Sequence, residues 1–451
     1  MPEFVFSFDV EDYISPHSDD VTKELAEILT EAGVRGCFNM VAEKTRQLRL
    51  RGRQDVIEAL KRHEIGYHSL LHSFHPTIAE YCDTPQFEEG MSRFLKEESA
   101  GLAEVRDTFE VDCVWAAVPP GGSACVTGIY GYTLLGMPIF AATPVGHYTD
   151  NKVWLANSLQ VPYNFYVDGT IASGGLKGLL AELEKRAGYQ TVVSCVHPTI
   201  LCHSKFWDGV NFSKGRRVAW GQWRMPPSRS AQEEARILSD YRKFVRTVLD
   251  DGRFEPITYE EMWKRYGDRD RPGFLSAQAA RDLVSRAAAK LDWQERDGFT
   301  YSPAEIFALA VWLAAHPGKD DTTPVPVRRL IGPIDTIRED DRSVGVSRDS
   351  VRAAAIELLA EHAETMPASV QVNGVNLGPG TFLRAMAQVL TGANEVHTVP
   401  GENYPRAVEI PEIGDHKYAG TWLFADDWFG EHNRRYWRAQ SWSVRPARRG
   451  N

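Results

Sequence analysis

The feature that most constrains this chain is an alternation running through residues 1–267. Short apolar runs such as "EFVFSF", "GCFNMV", "DCVWAAV" and "QTVVSCV" take turns with segments of helical spacing. "VTKELAEILTEAGV" carries its apolar residues on one helical face and stops at Gly33. "RQDVIEALKRH" and "AQEEARILSDYRKFVRTVLDDG" read the same way. Repeated strand-then-helix units predict a largely parallel sheet, open or closed as a barrel, in an α/β fold.

"GDRDRPG", Gly267 to Gly273, is a polar break rich in turn formers. It predicts a boundary between a domain at 1–267 and a smaller, mainly helical domain at 268–451. In the second, "YSPAEIFALAVWLAA" has Ser302 as N-cap, Pro303 at the first helical position and Glu305 closing a capping box. It leads to "PVPVRRLIGP". Further on, "VSRDSVRAAAIELLAEHA" leads to "MPASVQVNGVNLGP". The two halves predict a weak internal repeat of about 46 residues. The segment distantly resembles pseudomurein-binding repeats, against which stands the plainer reading of an accessory packing domain. The tail from Gly420 carries Trp422, Trp428, Tyr436, Trp437 and Trp442, which could stack on sugars or pack into a core.

With 451 residues, two or three domains are expected. The hydrophobic share of 43% and charged share of 25% are those of a globular protein. A net charge of -10 argues against nucleic acid as a partner. No stretch has the length of a membrane span, and the apolar run Phe4 to Phe8 is too short for a secretion signal. Cys37, Cys82, Cys113, Cys125, Cys195 and Cys202 are scattered without a CxxC pair and read as reduced thiols. Together these predict a cytoplasmic protein with no membrane partner, and leave homo-oligomer formation open.

Four strand ends carry chemistry. "FSFDVEDY" closes the first apolar run with Asp9, Glu11 and Asp12. "GYHSLLHSFHP" spaces His68 and His72 four residues apart, with His75 following. That spacing on a helical turn sends two imidazoles to one side and suits a divalent metal. "VPPGGSA" brings Pro120, Gly121 and Gly122 into a sharp loop whose backbone can approach a ligand, or which is a simple turn. "VVSCVHPTI" ends a strand at His197, either a satisfied core residue or a catalytic acid or base.

In this order the motifs resemble those of the polysaccharide deacetylase family, also called the NodB-homology or carbohydrate esterase 4 family. "FDVEDY" is similar to a DVED-type version of its first motif and "HSLLH" to its H-[ST]-x-x-H motif. "VPPGGS" has the body of the R-x-P-[YG]-G motif, but Val118 stands where arginine is expected. His197 matches the histidine that ends the last motif. The resemblance implies a distorted (β/α) barrel and a divalent metal held by one carboxylate and two histidines. The metal would be zinc, with cobalt, nickel or manganese as alternatives. His68 and His72 would be ligands, with Glu11 as the third and Asp12 as its alternative.

By the same resemblance Asp9 would be the base, His197 the acid, and Pro120, Gly121 and Gly122 would face substrate. The implied activity, on a small-molecule or glycan substrate, is hydrolysis of a C–N amide bond in carbohydrate metabolism, deacetylating an N-acylated amino sugar or related small amide. Two alternatives stand beside it. One is a catalytically impaired carbohydrate-binding protein, favoured by Val118. The other is a metal-independent hydrolase of ureides or cyclic amides. The long segment "LCHSKFWDGVNFSKGRRVAWGQW", with His203, Trp207, Asp208 and Trp220, would form a substrate wall or a surface excursion.

Overall fold

A computed structural model describes residues 1–141, 152–361, 363–405 and 422–450 of the chain. Gly420, where the aromatic tail begins, lies outside the described residues. Two compact units are present. The first comprises Met1–Lys152, Gln160–Gly267 and Lys417–Gly430. The second comprises Val153–Leu159, Asp268–His416 and Glu431–Asn451.

In chain order the strands up to residue 256 are β1 (Glu3–Val10), β2 (Cys37–Met40), β3 (Glu64–Tyr67), β4 (Ala116–Ala117), β5 (Ile139–Ala141), β6 (Val153–Leu155), β7 (Ser158–Val161), β8 (Phe165–Tyr166), β9 (Thr191–Val196) and β10 (Glu255–Pro256). Within the first unit the sheet runs β5-β4-β3-β2-β1-β9-β8, with β10 also on β1. The resolved pairings in this run are parallel, as the strand-helix alternation predicts. Every residue of β1 is buried, which is why it reads as a nearly continuous apolar run. The helices between strands turn one apolar stripe inward. Ala231–Asp250, for instance, buries Ile237, Tyr241, Phe244, Val245 and Val248. The α/β class and a curled, mainly parallel sheet are thus as expected from the sequence.

Register decides where the chemistry lands. Val10 lies opposite Met40, Met40 opposite Tyr67, Tyr67 opposite Ala117 and Phe8 opposite Val196. The residues that leave these strands therefore emerge along one sheet edge, the edge where parallel α/β sheets place their ligands. They include Glu11, His68, Val118 and His197.

The second unit adds β11 (Phe274–Ser276), β12 (Gln294–Arg296), β13 (Phe299–Tyr301), β14 (Pro324–Pro326), β15 (Val344–Ser347), β16 (Val370–Val372), β17 (Val375–Leu377) and β18 (Glu395–Thr398). Its helices Ala277–Ala289, Pro303–Ala315, Arg348–Ala360 and Pro379–Leu390 share one apolar core. Ser276, Ser302 and Ser347 each cap a helix through a side chain that accepts a backbone N–H.

The order strand, helix, hairpin, helix, strand occurs twice here. In each copy the outer strands pair antiparallel, β11 with β14 and β15 with β18. Each hairpin turns on a pair of left-handed residues, Asp297-Gly298 and Asn373-Gly374, the signature of a type I′ turn. The equivalences differ from those of the 46-residue spacing. Ala277–Ala289 corresponds to Arg348–Ala360, and Pro303–Ala315 to Pro379–Leu390, both of which begin with proline. The tail's Tyr436, Trp437 and Trp442 are buried in this unit. Among the described residues no helix is long and apolar enough to cross a membrane.

Candidate active site

A cavity of about 920 Å³ opens at the sheet edge of the first unit. Asp9, Glu11, His68, His72, Gly121 and His197 all line it, as do Tyr163, Cys195, Phe206, Asp208 and Trp422.

Glu11 Oε2 lies 2.9 Å from His72 Nε2 and 3.7 Å from His68 Nε2, and the two histidine nitrogens are 3.1 Å apart. The other ring nitrogen of each histidine is already used. His68 Nδ1 donates to the Val118 carbonyl at 3.0 Å. His72 Nδ1 donates to Ser73 Oγ at 2.7 Å, and Ser73 passes its own proton toward Asp208 Oδ2 at 2.9 Å. Trp207 Nε1 donates to the second oxygen of Glu11, Oε1, at 3.2 Å. Outer contacts of this kind fix a ligand's tautomer and aim. Burial disfavours charge on Glu11, yet His72 beside it holds its carboxyl well below the usual range. Burial likewise opposes charge on His72, and Glu11 raises its pKa nonetheless. The triad is arranged around positive charge.

Three buried donors from one carboxylate and two imidazoles, all within reach of a single point, fit a divalent cation. The histidines lie, as their place after the strand-like "EIGY" predicts, in a loop at a strand's C-terminal end. The segment after β3 is a loop, and Ser69 and His72 sit at φ 73° and 53°. Left-handed backbone costs a non-glycine residue energy, and such strain gathers at functional sites. His75 stands apart, bound to Glu80 at 2.6 Å and to the Phe212 carbonyl at 3.1 Å.

The two neighbouring acids divide. Asp12 turns away from the histidines and accepts from Ile14 N, Ser15 N and Thr199 Oγ1 at 3.1, 3.0 and 2.8 Å. It caps the turn that leaves β1, and burial raises its pKa although Lys44 opposes this.

Asp9 faces His197, with Oδ2 3.6 Å from Nε2. Its other oxygen accepts from Asn39 Nδ2 at 2.9 Å and Tyr163 OH at 3.0 Å. These neutral donors hold Asp9 in place; Val118, which stands where the family resemblance expects arginine, is buried. His197 Nδ1 donates to Asp168 Oδ2 at 2.5 Å. Burial works against charging this ring; the Cys195 sulfur and the Asp168 carboxylate beside it outweigh that and hold its pKa well above the ordinary histidine range.

Gly121 has φ 57°, and a Cβ there would come within 3.0 Å of Trp422. The left-handed backbone favours glycine there, and the indole beside it leaves little room for a side chain. Pro120 and Gly122 complete the same turn, and of the three only Gly121 is on the cavity wall. Trp422 is the one tail aromatic on that wall, tied down by its carbonyl, which accepts Lys214 N at 2.8 Å. Of the long segment after β9, Trp207 and Asp208 support the triad, whereas His203 bonds Ser15 at 2.9 Å in a structural role.

Asn39, Tyr163, Asp168 and Ser73 were not foreseen. Asn39 had a usable signal: an amide inside the apolar run "CFNM" is unusual unless paired.

No family model and no curated sequence matches the chain. Solved structures do. A presumed polysaccharide deacetylase from Mycobacterium smegmatis shares 14% identity over 58% of this chain and 88% of that one, with a TM-score of 0.39. A family 4 carbohydrate esterase from Streptomyces lividans shares 12% over 57% and 94%, TM-score 0.32. A family 4 pseudoenzyme from Bacillus anthracis shares 12% over 44% and 56%, TM-score 0.30. Overlaps this low say nothing about activity, and one of the three is a pseudoenzyme. The functional reading rests on the side chains.

Proposed function

We propose that the chain is a metal-dependent hydrolase of C–N amide bonds that deacylates an N-acylated amino sugar or a related small amide. One observation carries the reading: a metal-type triad shares a cavity with a carboxylate and a histidine that face each other at 3.6 Å. Glu11, His68 and His72 are the ligands in this proposal. A divalent ion there supplies Lewis acidity, polarising the acyl carbonyl and acidifying water.

The remaining steps belong to the chain's own groups. Asp9 takes the water's proton at Oδ2, the oxygen left free by Asn39 and Tyr163. His197 gives a proton from Nε2 to the departing nitrogen, its other side held by Asp168. Asp9 is buried and His197 half-buried, and low solvent exposure strengthens each charge interaction.

Lys205, Arg216 and Arg224 also line the cavity, at its exposed rim, and none makes an ion pair with a described residue. That rim favours a substrate carrying an anionic group beside the acyl amide. The reading is tested by acetate release from a panel of N-acetylated sugars, neutral and anionic, with and without added zinc or cobalt. Release that needs metal and disappears in Asp9→Asn supports it. Tight glycan binding with no release would favour the impaired carbohydrate-binding protein.

A further inference from the structure

We propose that Asp9, Cys195 and His197 form a second cation site in the same cavity, selective for a soft divalent ion such as zinc or cadmium. The site stands on geometry alone. Its consequence, inhibition by excess metal, rests on the hydrolase reading, since the ion would occupy the two proton-transfer groups.

Strand periodicity builds the site. Cys195 and His197 are two residues apart, so both project from one face of the chain as it leaves β9. Parallel pairing sets Ser7 opposite Cys195 and carries Asp9 to the level of His197. Cys195 Sγ then lies 3.8 Å from Asp9 Oδ2 and 3.9 Å from His197 Nε2, with Nε2 to Oδ2 at 3.6 Å. Around a tetrahedral zinc, with its known bond lengths, donors sit roughly 3.3 to 3.6 Å apart. The three separations exceed these by only a few tenths of an ångström, and a turn of the His197 ring would complete the set.

Two donors are already singled out. Asn39 and Tyr163 occupy Asp9 Oδ1 and leave Oδ2 toward the sulfur. Asp168 holds His197 Nδ1, so Nε2 is the nitrogen left for an ion; the sulfur lies as near Nδ1, at 3.8 Å, as Nε2, at 3.9 Å, and the ring must turn to aim Nε2 at the shared point. Outer contacts of this kind orient metal ligands. The sulfur sets selectivity: thiolate and imidazole suit zinc and cadmium, while magnesium and calcium demand oxygen. The Glu11 triad has no sulfur, so the two sites differ in donor chemistry. On binding, the Cys195 S–H and His197 Nε2–H protons leave to solvent, and no electron changes hands.

The test is titration of metal-free protein with cadmium and, separately, cobalt, following bound equivalents by equilibrium dialysis and sulfur-to-metal charge transfer by absorption. Two equivalents are expected, one of them with the charge-transfer band. Cys195→Ser keeps one equivalent and loses the band. His68→Ala/His72→Ala keeps one equivalent and the band. Cys113→Ser, which removes the exposed thiol, changes neither. Absence of the band in the unaltered protein, or its survival in Cys195→Ser, overturns the proposal. Metal-dependent hydrolysis with no band leaves the hydrolase reading standing and this site refuted; a band at excess metal, with no hydrolysis even at one equivalent of zinc or cobalt, does the reverse.

Discussion

Asp168 holds His197 at two points: Oδ1 accepts the His197 backbone N–H at 2.9 Å, and Oδ2 accepts the ring Nδ1–H at 2.5 Å. The acid proposed for the leaving nitrogen is thereby fixed in both position and tautomer. Asp168→Asn keeps the shape but offers a donor where an acceptor is needed. We expect kcat to fall by about 10² to 10⁴ with KM little changed. Steady-state kinetics check this, and an unaltered kcat would remove Asp168 from the machinery.

Tyr163 donates to Asp9 Oδ1 at 3.0 Å. Hydrogen bonds to charged groups contribute roughly 1.5–3 kcal/mol. Tyr163→Phe should therefore lower kcat by about tenfold or more, with Asn39 retaining part of the hold. A rise in KM at constant kcat would show that Tyr163 binds substrate instead.

Trp207 reaches Glu11 Oε1 through its indole N–H and is fully buried. Trp207→Phe keeps the packing and removes the donor. Affinity for the first metal equivalent should drop by about 10- to 100-fold in chelator competition. Equal affinity in the two proteins would reduce Trp207 to a packing residue.

The cationic rim makes a salt-dependent prediction. For an anionic N-acyl substrate kcat/KM should fall as ionic strength rises, and Arg216→Gln/Arg224→Gln should flatten that slope. A neutral substrate should show neither effect. Identical slopes for both substrates would dismiss the rim as a selector.

Glu64 gives a stability prediction away from the cavity. Burial pushes its carboxyl up to about 7, against the Glu260 N–H that favours the charged form, and Oε1 has no partner. The folded state thus holds a proton that the unfolded chain releases at about 4.5. Stability tied to this group is complete below pH 4.5, declines as pH rises through 7, and is then lost. The loss is on the order of 3 kcal/mol. Glu64→Gln should raise the urea midpoint at pH 8 and leave it nearly unchanged at pH 4. An equal effect at both pH values would refute the assignment.

The site was legible where chemistry coincided with strand ends. Asp9, Glu11, His68, His72 and His197 each follow or close an apolar run, and parallel register carries such residues to one edge. The preference for Glu11 over Asp12 was only weakly legible, because it depends on which way the chain turns after Val10 and on donors as distant as Thr199. Asp168 opens a helix with an ordinary first-turn acid, so nothing marked it as the partner of His197. The repeat in the second unit was misaligned because two alanine-rich helices match in any register. The turn pairs Asp297-Gly298 and Asn373-Gly374 were the better landmarks, since few residue pairs satisfy two left-handed positions.

The division of the chain carries a practical corollary. Lys417–Gly430 belongs to the first unit and Val153–Leu159 to the second, so each unit borrows a stretch from the other's part of the sequence. A fragment cut after Gly267 would retain every proposed catalytic group yet lose Trp422, the indole that packs beside Gly121 on the cavity wall. A complete first unit is therefore expected to require the stretch that reaches Gly430, not only the residues up to Gly267.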